Sequence, residues 1–322
     1  MSNAHDMAVV GDHPLTFNDY VGQDAAKRQM QVAIKSAKAR NARLDHTLIA
    51  HPDAGIGKTS LALLAAMEMD VTVDIVSGSM TLDQVRSKLA GMNDRDILIL
   101  EECHRLFDGG KKAAEWMLHL MQHDILLGPL GPETVPPVTL IATTTDTGKI
   151  PEPILQRFGI KPRLESYSDD EGALITLKLA ARIFTPDMPL PSDAVAYQIA
   201  RAAANRPRAM RGVLSKVRDL VTVGEMEIQP DYDITEALTW EGLTRDGLTD
   251  LCQRYLLTLH HSDGTAGLRS IAERLGEIPA GLNETERLLI GKGLVERRTR
   301  GRILTTAGLR RAKALAADTV AA

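Results

Sequence analysis

The residue types best suited to chemistry stand together in residues 51–60, which read His-Pro-Asp-Ala-Gly-Ile-Gly-Lys-Thr-Ser. They follow a short apolar segment and open a run of helix formers, and this order of strand, glycine loop and helix binds phosphate through inward amides and a helix N-terminus. Gly55 and Gly57 let the backbone approach an anion. Lys58 is long enough to reach the β- and γ-phosphates, and Thr59 offers Mg²⁺ a hydroxyl. The segment predicts a phosphate-binding loop.

The entrance of this loop departs from the usual pattern, GxxxxGK[ST], which has glycine where this chain has Pro52. Proline removes one amide from the entrance, and Asp53 puts a carboxylate near the expected anion. The half of the loop from Gly55 to Thr59, which touches phosphate, is intact. The alternative interpretation is an ordinary strand, turn and helix that carries Gly-Lys-Thr by chance.

A second chemical feature is the continuous apolar segment Asp96 to Leu100, which ends in Glu101 and Glu102. A run of this kind is typical of a central parallel strand that is covered on both faces. Because ligands lie at the carboxyl ends of such strands, we expect the two carboxylates beside the phosphates. Glu101 is then a candidate for holding Mg²⁺ through water, and Glu102 for polarising the attacking water. A solvated acidic turn is the alternative.

Apolar runs and helical patterns alternate up to residue 167 and predict the parallel sheet that positions these residues. Strands are expected at 47–50, 71–76, 96–102, 138–145 and 162–167. Helices are expected at 24–39, 61–69, 81–89 and 111–122, with a short hairpin over 125–137. The strand 138–145 ends in three threonines, so that a hydroxyl there can orient water. From Ser168, which forms a capping box with Glu171, only helices follow.

The C-terminal region predicts a winged helix, a fold that binds DNA. Three helices at 244–260, 267–275 and 282–290 precede a hairpin over 294–305 with a Thr-Arg-Gly-Arg tip. Residues 287–313 hold nine Lys or Arg and one acid, a balance of +8 that favours a polyanionic partner. Arginines on such a hairpin suit phosphate contacts, which position a protein without reading sequence. A solvated surface helix and turn is the alternative explanation of the charge.

The composition of the whole chain is that of a globular protein with two or three domains. It has 322 residues, of which 44% are hydrophobic and 25% charged, and a net charge of -4. No apolar run approaches the roughly 18 residues of a membrane helix, and the N-terminus lacks a signal-peptide layout, so we expect a cytoplasmic protein. Cys103 and Cys252 match no metal or redox spacing, and reduced thiols are expected.

Together, these motifs resemble the RuvB family of AAA+ ATPases over nearly the whole chain. The likeness is carried by residues 17–23 (FNDYVGQ), 44–46 (LDH), 51–60, 102–106 (ECHRL), 137–145 (PVTLIATTT), 157–159 (RFG), 207–208 (PR), 216–219 (KVRD) and 298–302 (RTRGR). The resemblance implies an α/β fold: an AAA+ P-loop domain with a parallel sheet and helices on both faces, an all-α lid and a C-terminal winged helix. The implied ranges are a flexible tail at 1–13, then 14–167, 168–241 and 242–322.

The same resemblance implies a role for individual residues. Lys58, Glu102, Thr145 as sensor 1 and Arg157 as an arginine finger for the neighbouring subunit would be catalytic. The residues implied on ATP are Gly55, Ile56, Gly57, Lys58, Thr59, Ser60, Tyr20, Val21, Tyr167 and Arg208, the last as sensor 2. Those implied on Mg²⁺ are Thr59 and Glu101. The residues implied on DNA are Arg298, Arg300 and Arg302, and the neighbouring Arg297 is predicted with them.

Three positions depart from the family's pattern. Glu101 stands where aspartate is usual, and its extra methylene bears on where a metal sits. Leu155 stands where the family usually carries another arginine. The segment Ile125 to Val135 is several residues shorter than the hairpin that docks the partner RuvA in this family, which puts a standard RuvA-like partner in question.

The function predicted from this resemblance is an ATP-driven motor of homologous recombination. Its subunits would form a ring, expected to be a hexamer, and drive branch migration of Holliday junctions on double-stranded or four-way-junction DNA. The first alternative is a clamp-loader or initiator-like switch that loads a partner on DNA. The second is a nucleotide-binding DNA-assembly factor with little turnover.

Overall fold

The computed structural model describes residues 13–128, 131–227, 229–299 and 301–321, which fall into two compact units. The first unit runs to Leu190 and also includes Asn205–Arg211. The second comprises Pro191–Ala204 and the chain from Gly212 onward. Of the predicted N-terminal tail, residues 1–12 lie outside the described residues. No helix within the described ranges combines the length and the apolar character that a membrane crossing requires.

The first unit is built on a four-stranded sheet in the order β1-β6-β3-β2, with all pairs parallel. Its strands are β1 (Thr47–Ala50), β2 (Val73–Ser77), β3 (Ile97–Glu101) and β6 (Thr139–Thr144). Leu98 and Leu100 belong to an apolar cluster on one face, with Trp116 and Leu120. Ile97 and Ile99 alternate with them and are equally buried, so side chains cover both faces of β3. The predicted central strand is confirmed.

Helices surround this sheet, and several begin where the sequence predicts. They are α1 (Asp24–Ala39), α2 (Lys58–Met69), α3 (Leu82–Leu89), α4 (Lys111–His123), α5 (Glu152–Leu155) and α6 (Asp169–Ile183). Thr81 and Ser168 each form the predicted capping box, with Gln84 and Glu171 respectively. The predicted hairpin is also present, as β4 (Ile125–Gly128) and β5 (Gly131–Thr134) in antiparallel pairing.

The predicted last strand of the sheet, 162–167, is wrong. Only isolated parallel bridges occur there, from Ile160 to Thr47 and from Arg163 to Ala50. Pro162 lies between them and has no amide to donate, so a continuous ladder cannot form across it. The segment follows the edge of β1 without extending the sheet.

The second unit contains the predicted winged helix. Its helices are α7 (Asp193–Ala202), α8 (Pro207–Thr222, from Gly212 onward in this unit), α9 (Thr235–Trp240), α10 (Asp250–His260), α11 (Leu268–Leu275), α12 (Asn283–Gly291) and α13 (Thr306–Ala321). Its strands are β7 (Thr265–Ala266), β8 (Val295–Arg298) and β9 (Gly301–Leu304), in the order β7-β9-β8. The basic hairpin is confirmed as β8 and β9.

Three features of this unit differ from the prediction. The helix expected from Thr244 begins at Asp250, because the Thr249 side chain caps it and the Leu248 amide donates to the Thr244 hydroxyl at 2.9 Å. Strand β7 and helix α13 were not predicted. Cys252 is buried in the core of this unit, Cys103 is buried in the first, and both thiols are free.

Candidate functional site

The phosphate-binding loop adopts a conformation that glycine alone tolerates well. Gly55 has φ +74° and Gly57 has φ +109°, both in the left-handed region. A Cβ at Gly57 would lie 2.8 Å from the Tyr20 hydroxyl, and one at Gly55 would lie 2.6 Å from Cβ of Arg208. The loop therefore packs directly against two residues that the sequence predicts on nucleotide.

The loop entrance, where proline replaces glycine, is organised by its own polar groups. The Asp53 amide donates to Nδ1 of His51 at 3.0 Å. Nζ of Lys58 donates to the carbonyls of His51 at 3.0 Å and Asp53 at 2.8 Å, and Lys58 is buried. The lysine ammonium is thus held over the loop, which keeps its turn despite Pro52.

The two acidic residues at the end of β3 point to different partners. The Thr59 hydroxyl donates to Oε1 of Glu101 at 2.5 Å. Oε2 of Glu102 accepts from the Thr145 amide at 3.1 Å and from its hydroxyl at 2.7 Å. Nδ1 of His104 lies 3.3 Å from the same Oε2. Glu101 is therefore joined to the phosphate-binding loop, and Glu102 to the residue predicted as sensor 1.

Gly78, just after β2, makes the position of Glu102 possible. Glu102 has φ +48°, which is uncommon for a residue with a side chain. Its carbonyl oxygen would lie 2.2 Å from a Cβ at Gly78, and the Gly78 amide donates to the Glu101 carbonyl at 2.6 Å. The strained backbone of Glu102 thus depends on a neighbour without a side chain.

A cavity of about 500 Å³ in the first unit collects most of the predicted nucleotide residues. The predicted residues that line it are Tyr20, Val21, Gly55, Gly57, Lys58, Thr59, Ser60, Glu101, Glu102, Tyr167 and Arg208. Burial raises the pKa of Tyr20 and of Tyr167, so both phenols are neutral. A cavity of this size that is lined by both apolar and polar side chains suits a nucleoside triphosphate.

Of the residues predicted on ATP, on Mg²⁺ or in catalysis, three do not line this cavity. The Ile56 side chain is buried in the core, at 2% exposure. Thr145 is held behind Glu102 by the two hydrogen bonds described above. Arg157 is exposed and absent from the described lining.

The cavity also contains residues that the sequence did not place on ATP. Those from the quoted motifs are Asp19, Ala54, Thr143 and Pro207, and those from outside the motifs are His13, Pro14, Ile175, Lys178, Leu179, Arg182 and Arg211. Lys178 and Arg182 stand one turn apart on α6, as do Ile175 and Leu179, so each pair shares a side of the helix. Helical spacing was the available signal, but it does not indicate which side faces the nucleotide.

The chemistry of Thr59 and Glu101 fits a magnesium ion. A hydroxyl and a carboxylate are hard oxygen ligands, and Mg²⁺ typically takes only one or two from the protein while keeping waters and substrate phosphates. In the described ranges, no three His, Cys, Asp or Glu side chains gather into a metal cage. The longer Glu101 reaches the Thr59 hydroxyl directly, so its extra methylene does not separate the two groups.

The described arginines of the basic hairpin are paired with acids. Arg297 and Arg302 both donate to the buried carboxylate of Glu286. Arg298 donates to Glu296 at 2.7 Å. Arg300 lies outside the described residues. In the same unit Arg311 donates two hydrogen bonds to Asp246, at 2.7 and 2.9 Å.

Comparison with known proteins gives matches along most of the chain. Residues 13–164 match the family model of the Holliday junction DNA helicase RuvB P-loop domain, and residues 245–313 match that of the RuvB C-terminal winged helix domain. The chain is 33% identical over 303 residues to the Holliday junction branch migration complex subunit RuvB of Campylobacter jejuni subsp. doylei. This alignment covers 91% of this chain and 89% of that protein.

A second relative and a solved structure agree with these matches. The chain is 32% identical over 316 residues to the protein of the same name from Rhodospirillum centenum, over 95% of this chain and 86% of that one. The structure titled Thermotoga maritima RuvB Holliday junction branch migration motor aligns with a TM-score of 0.78 at 27% identity. That alignment covers 94% of this chain and 98% of the other.

Proposed function

We propose that this chain, which belongs to the RuvB family, hydrolyses ATP to drive branch migration of Holliday junctions in DNA recombination and repair. One observation carries the proposal: the phosphate-binding loop and the acidic end of β3 meet in one cavity, with 2.5 Å between Thr59 Oγ1 and Glu101 Oε1. Relatives that align over nine-tenths of this chain are named as branch migration subunits. The first alternative, a loading switch, shares the cavity but not these relatives.

In the proposed reaction, the loop amides and Lys58 bind the β- and γ-phosphates of ATP. Glu102 accepts a proton from the attacking water. Thr145 donates two hydrogen bonds to the Glu102 carboxylate and orients that carboxylate. Thr59 and Glu101 would hold Mg²⁺. The ion, when bound, neutralises charge on the phosphate oxygens. Arg208, whose Cβ packs on Gly55, is suited to sense the γ-phosphate from the start of α8.

The ring is part of the proposal because the predicted arginine finger, Arg157, is not among the residues that line the described cavity. Arg157 is exposed, with its guanidinium beside the Gln122 side chain, and this position suits contact with a neighbouring subunit's nucleotide. Arginine fingers supplied in this way contribute on the order of 10³ or more to the rate. We propose a closed ring, as a hexamer, in which each site is completed by the next subunit.

The remaining parts of the proposal concern DNA and a partner. The hairpin β8–β9 contacts the phosphates of double-stranded or junction DNA, and the division into 14–167, 168–241 and 242–322 separates ATPase, lid and DNA-binding parts. A RuvA-like junction-binding protein would dock on β4–β5, where Leu127 is 38% exposed. Each strand of that hairpin has only four residues, so a partner adapted to a short hairpin is expected.

The test is steady-state ATP hydrolysis by the purified chain, alone and with linear duplex or a four-way junction, followed by a branch-migration assay. A motor hydrolyses ATP faster with DNA and moves the junction. A switch binds the junction and leaves it unmoved. Hydrolysis that is absent, or unchanged by Glu102→Gln, would instead support the assembly factor.

A further inference from the structure

The basic hairpin places two arginines directly opposite each other. Arg297 on β8 and Arg302 on β9 are register partners, and so are Val295 and Leu304. Because side chains alternate between the faces of a strand, all four lie on one face, and Val295 is buried in the core of the second unit. Like charges directly opposite on one face destabilise a hairpin. The inner face of β8–β9 therefore needs an anion between its two arginines.

Glu286 of α12 supplies that anion. Its side chain is completely buried, at 0% exposure. Oε2 accepts from Nη2 of Arg297 at 2.6 Å and from Nη2 of Arg302 at 3.3 Å, and Oε1 accepts from Nε of Arg302. Burial raises the pKa of this carboxyl, but the hydrogen bonds from Arg302 and Arg297 outweigh it and hold the pKa below its usual value. Glu286 is therefore a buried, charged residue whose ion pairs connect α12 to both strands of the hairpin.

The outer face of the same hairpin is different. Arg298 follows Arg297 and so points the other way, where it pairs with Glu296. Both members of that pair are more than half exposed, at 64% and 52%. On the inner face the Arg302 side chain is only 21% exposed and that of Arg297 is 56% exposed, but both donate to a carboxylate with no exposed surface. An exposed pair holds its members weakly, while a buried carboxylate cannot lose its partners without a large penalty. Phosphate can displace Glu296 from Arg298 far more readily than Glu286 from Arg302.

We propose that Glu286 is a positioning residue of the DNA-binding hairpin. It withholds Arg297 and Arg302 from DNA and uses them to brace β8 and β9 against α12. Arg298 on the outer face is then the phosphate contact of these two strands. The inference rests on the proposed function, in which the hairpin binds DNA. It divides into two classes the arginines that the sequence treats as equivalent.

The assignment is tested with a matched pair of variants of the full chain, Arg298→Met and Arg302→Met. Each replaces one arginine with an unbranched apolar side chain. Affinity for a labelled duplex is measured over a series of KCl concentrations, and thermal unfolding checks that both variants are folded. Each phosphate contact contributes about 0.9 to the slope of log affinity against log salt. We expect Arg298→Met to flatten the slope by about 0.9 and Arg302→Met to leave it within about 0.3 of the original.

A third variant, Glu286→Gln, tests the withholding itself. Glutamine keeps the shape of the side chain but removes its charge, so Arg297 and Arg302 lose their anion. We expect the salt slope to steepen by about 0.9 to 1.8 as one or both arginines reach phosphate. Amide hydrogen exchange across β8 and β9 is expected to become faster as the brace weakens. An unchanged or flatter slope in a folded Glu286→Gln protein overturns the withholding role.

Two further outcomes separate the inference from the proposed function. If the unmodified chain fails to bind duplex at low salt, the proposed function fails and this inference fails with it. If the chain binds DNA but Arg302→Met costs as much slope as Arg298→Met, only the division of the arginines is overturned. That second result would make Arg302 an ordinary phosphate contact.

Discussion

At the predicted nucleotide site the functional side chains bond to one another, whereas in the basic hairpin they bond to acids that lie outside the predicted DNA-binding residues. Thr59 meets Glu101 and Thr145 meets Glu102, all within the motifs that the sequence singles out. Arg302, by contrast, meets Glu286, which stands one residue outside the basic segment whose charge was counted. Motif spacing specifies a geometry, while local net charge does not specify which charges are available to a partner.

The physical reason is the range over which each signal acts. A glycine loop is determined by torsion angles and close packing within a few residues, as at Gly57 against Tyr20. An ion pair is determined by whichever acid the fold brings near, as Asp246 is brought to Arg311. The comparison predicts large, specific effects in the cavity and smaller, more distributed effects at charged surfaces.

The largest expected effect comes from a residue outside the cavity's described lining. Arg157→Ala should lower DNA-stimulated ATP hydrolysis by roughly 10³-fold or more, because the neighbouring subunit loses its arginine finger. Steady-state hydrolysis measures this. Mixing Arg157→Ala with Lys58→Ala protein should restore some activity in mixed rings, where intact sites form between subunits. Mixed rings no more active than either parent would make each cavity self-sufficient.

Glu102→Gln is expected to have the next largest effect. Loss of a general base should reduce the turnover number by about 10² to 10⁴-fold, while affinity for ATP changes little. Turnover and nucleotide titration are measured separately. Glu115→Gln, at an exposed glutamate on α4, is the matched control and should behave like the original chain. Equal losses in both variants would contradict a catalytic role for Glu102.

Gly78→Ala tests whether backbone packing, rather than charge, determines the catalytic geometry. The added Cβ would lie 2.2 Å from the Glu102 carbonyl, so that residue must shift. Because misplacement by about 1 Å can cost roughly 10²-fold, we expect a fall in turnover of that order with ATP binding retained. Gly91→Ala is the control, since its Cβ would meet the nearest atom at an ordinary 3.6 Å. Full activity of Gly78→Ala would show that Glu102 tolerates the shift.

The smallest expected effect concerns stability and pH. His46 is buried, and its Nδ1 accepts from the Leu140 amide at 3.0 Å. Burial, aided by the charge of Arg43, lowers the pKa of His46 to about 4, while unfolding returns it toward 6.5. The unfolded chain therefore binds more protons between these values, and the free energy of unfolding should fall by up to about 3 kcal/mol as pH drops from 6.5 to 4.

Denaturant unfolding at several pH values measures that loss, and His46→Asn is the control. Asparagine keeps an acceptor near the Leu140 amide but does not titrate. Its free energy of unfolding should therefore change less between pH 6.5 and 4. Identical pH dependence in the two proteins would exclude His46 as the source.

Much of the first unit could be predicted from the sequence, because its signals are local. The apolar runs of β3 and β6, the capping residues Thr81 and Ser168, and the two loop glycines each act within a few positions. The predicted strand 162–167 is wrong because Pro162 has no amide to donate to the neighbouring strand. The pattern of residue types in this segment does not show whether that loss prevents pairing at the edge of the sheet.

The rest of the site depends on tertiary packing that no short segment records. Lys178 and Arg182 line the cavity because α6 turns that side toward it, and the sequence alone is equally consistent with solvent exposure. Helix α13 was not predicted because the strong positive charge of its first half is typical of a solvated segment, although its apolar positions include Ala312 and Leu315 of the core. Glu286 was missed because a lone acid on a helix is ordinarily solvated.

The two buried cysteines give this chain a built-in reporter. Cys103 lies in the first unit beside Glu102, where burial, with the nearby carboxylate, raises the pKa of the thiol to about 12. Cys252 is enclosed in the core of the second unit. Neither sulfur is accessible to an alkylating reagent while its surroundings stay intact, since the reagent attacks exposed thiolate. Mass spectrometry can follow the rate at which each cysteine is labelled. That rate reports how fast the unit around the cysteine opens, without any engineered probe.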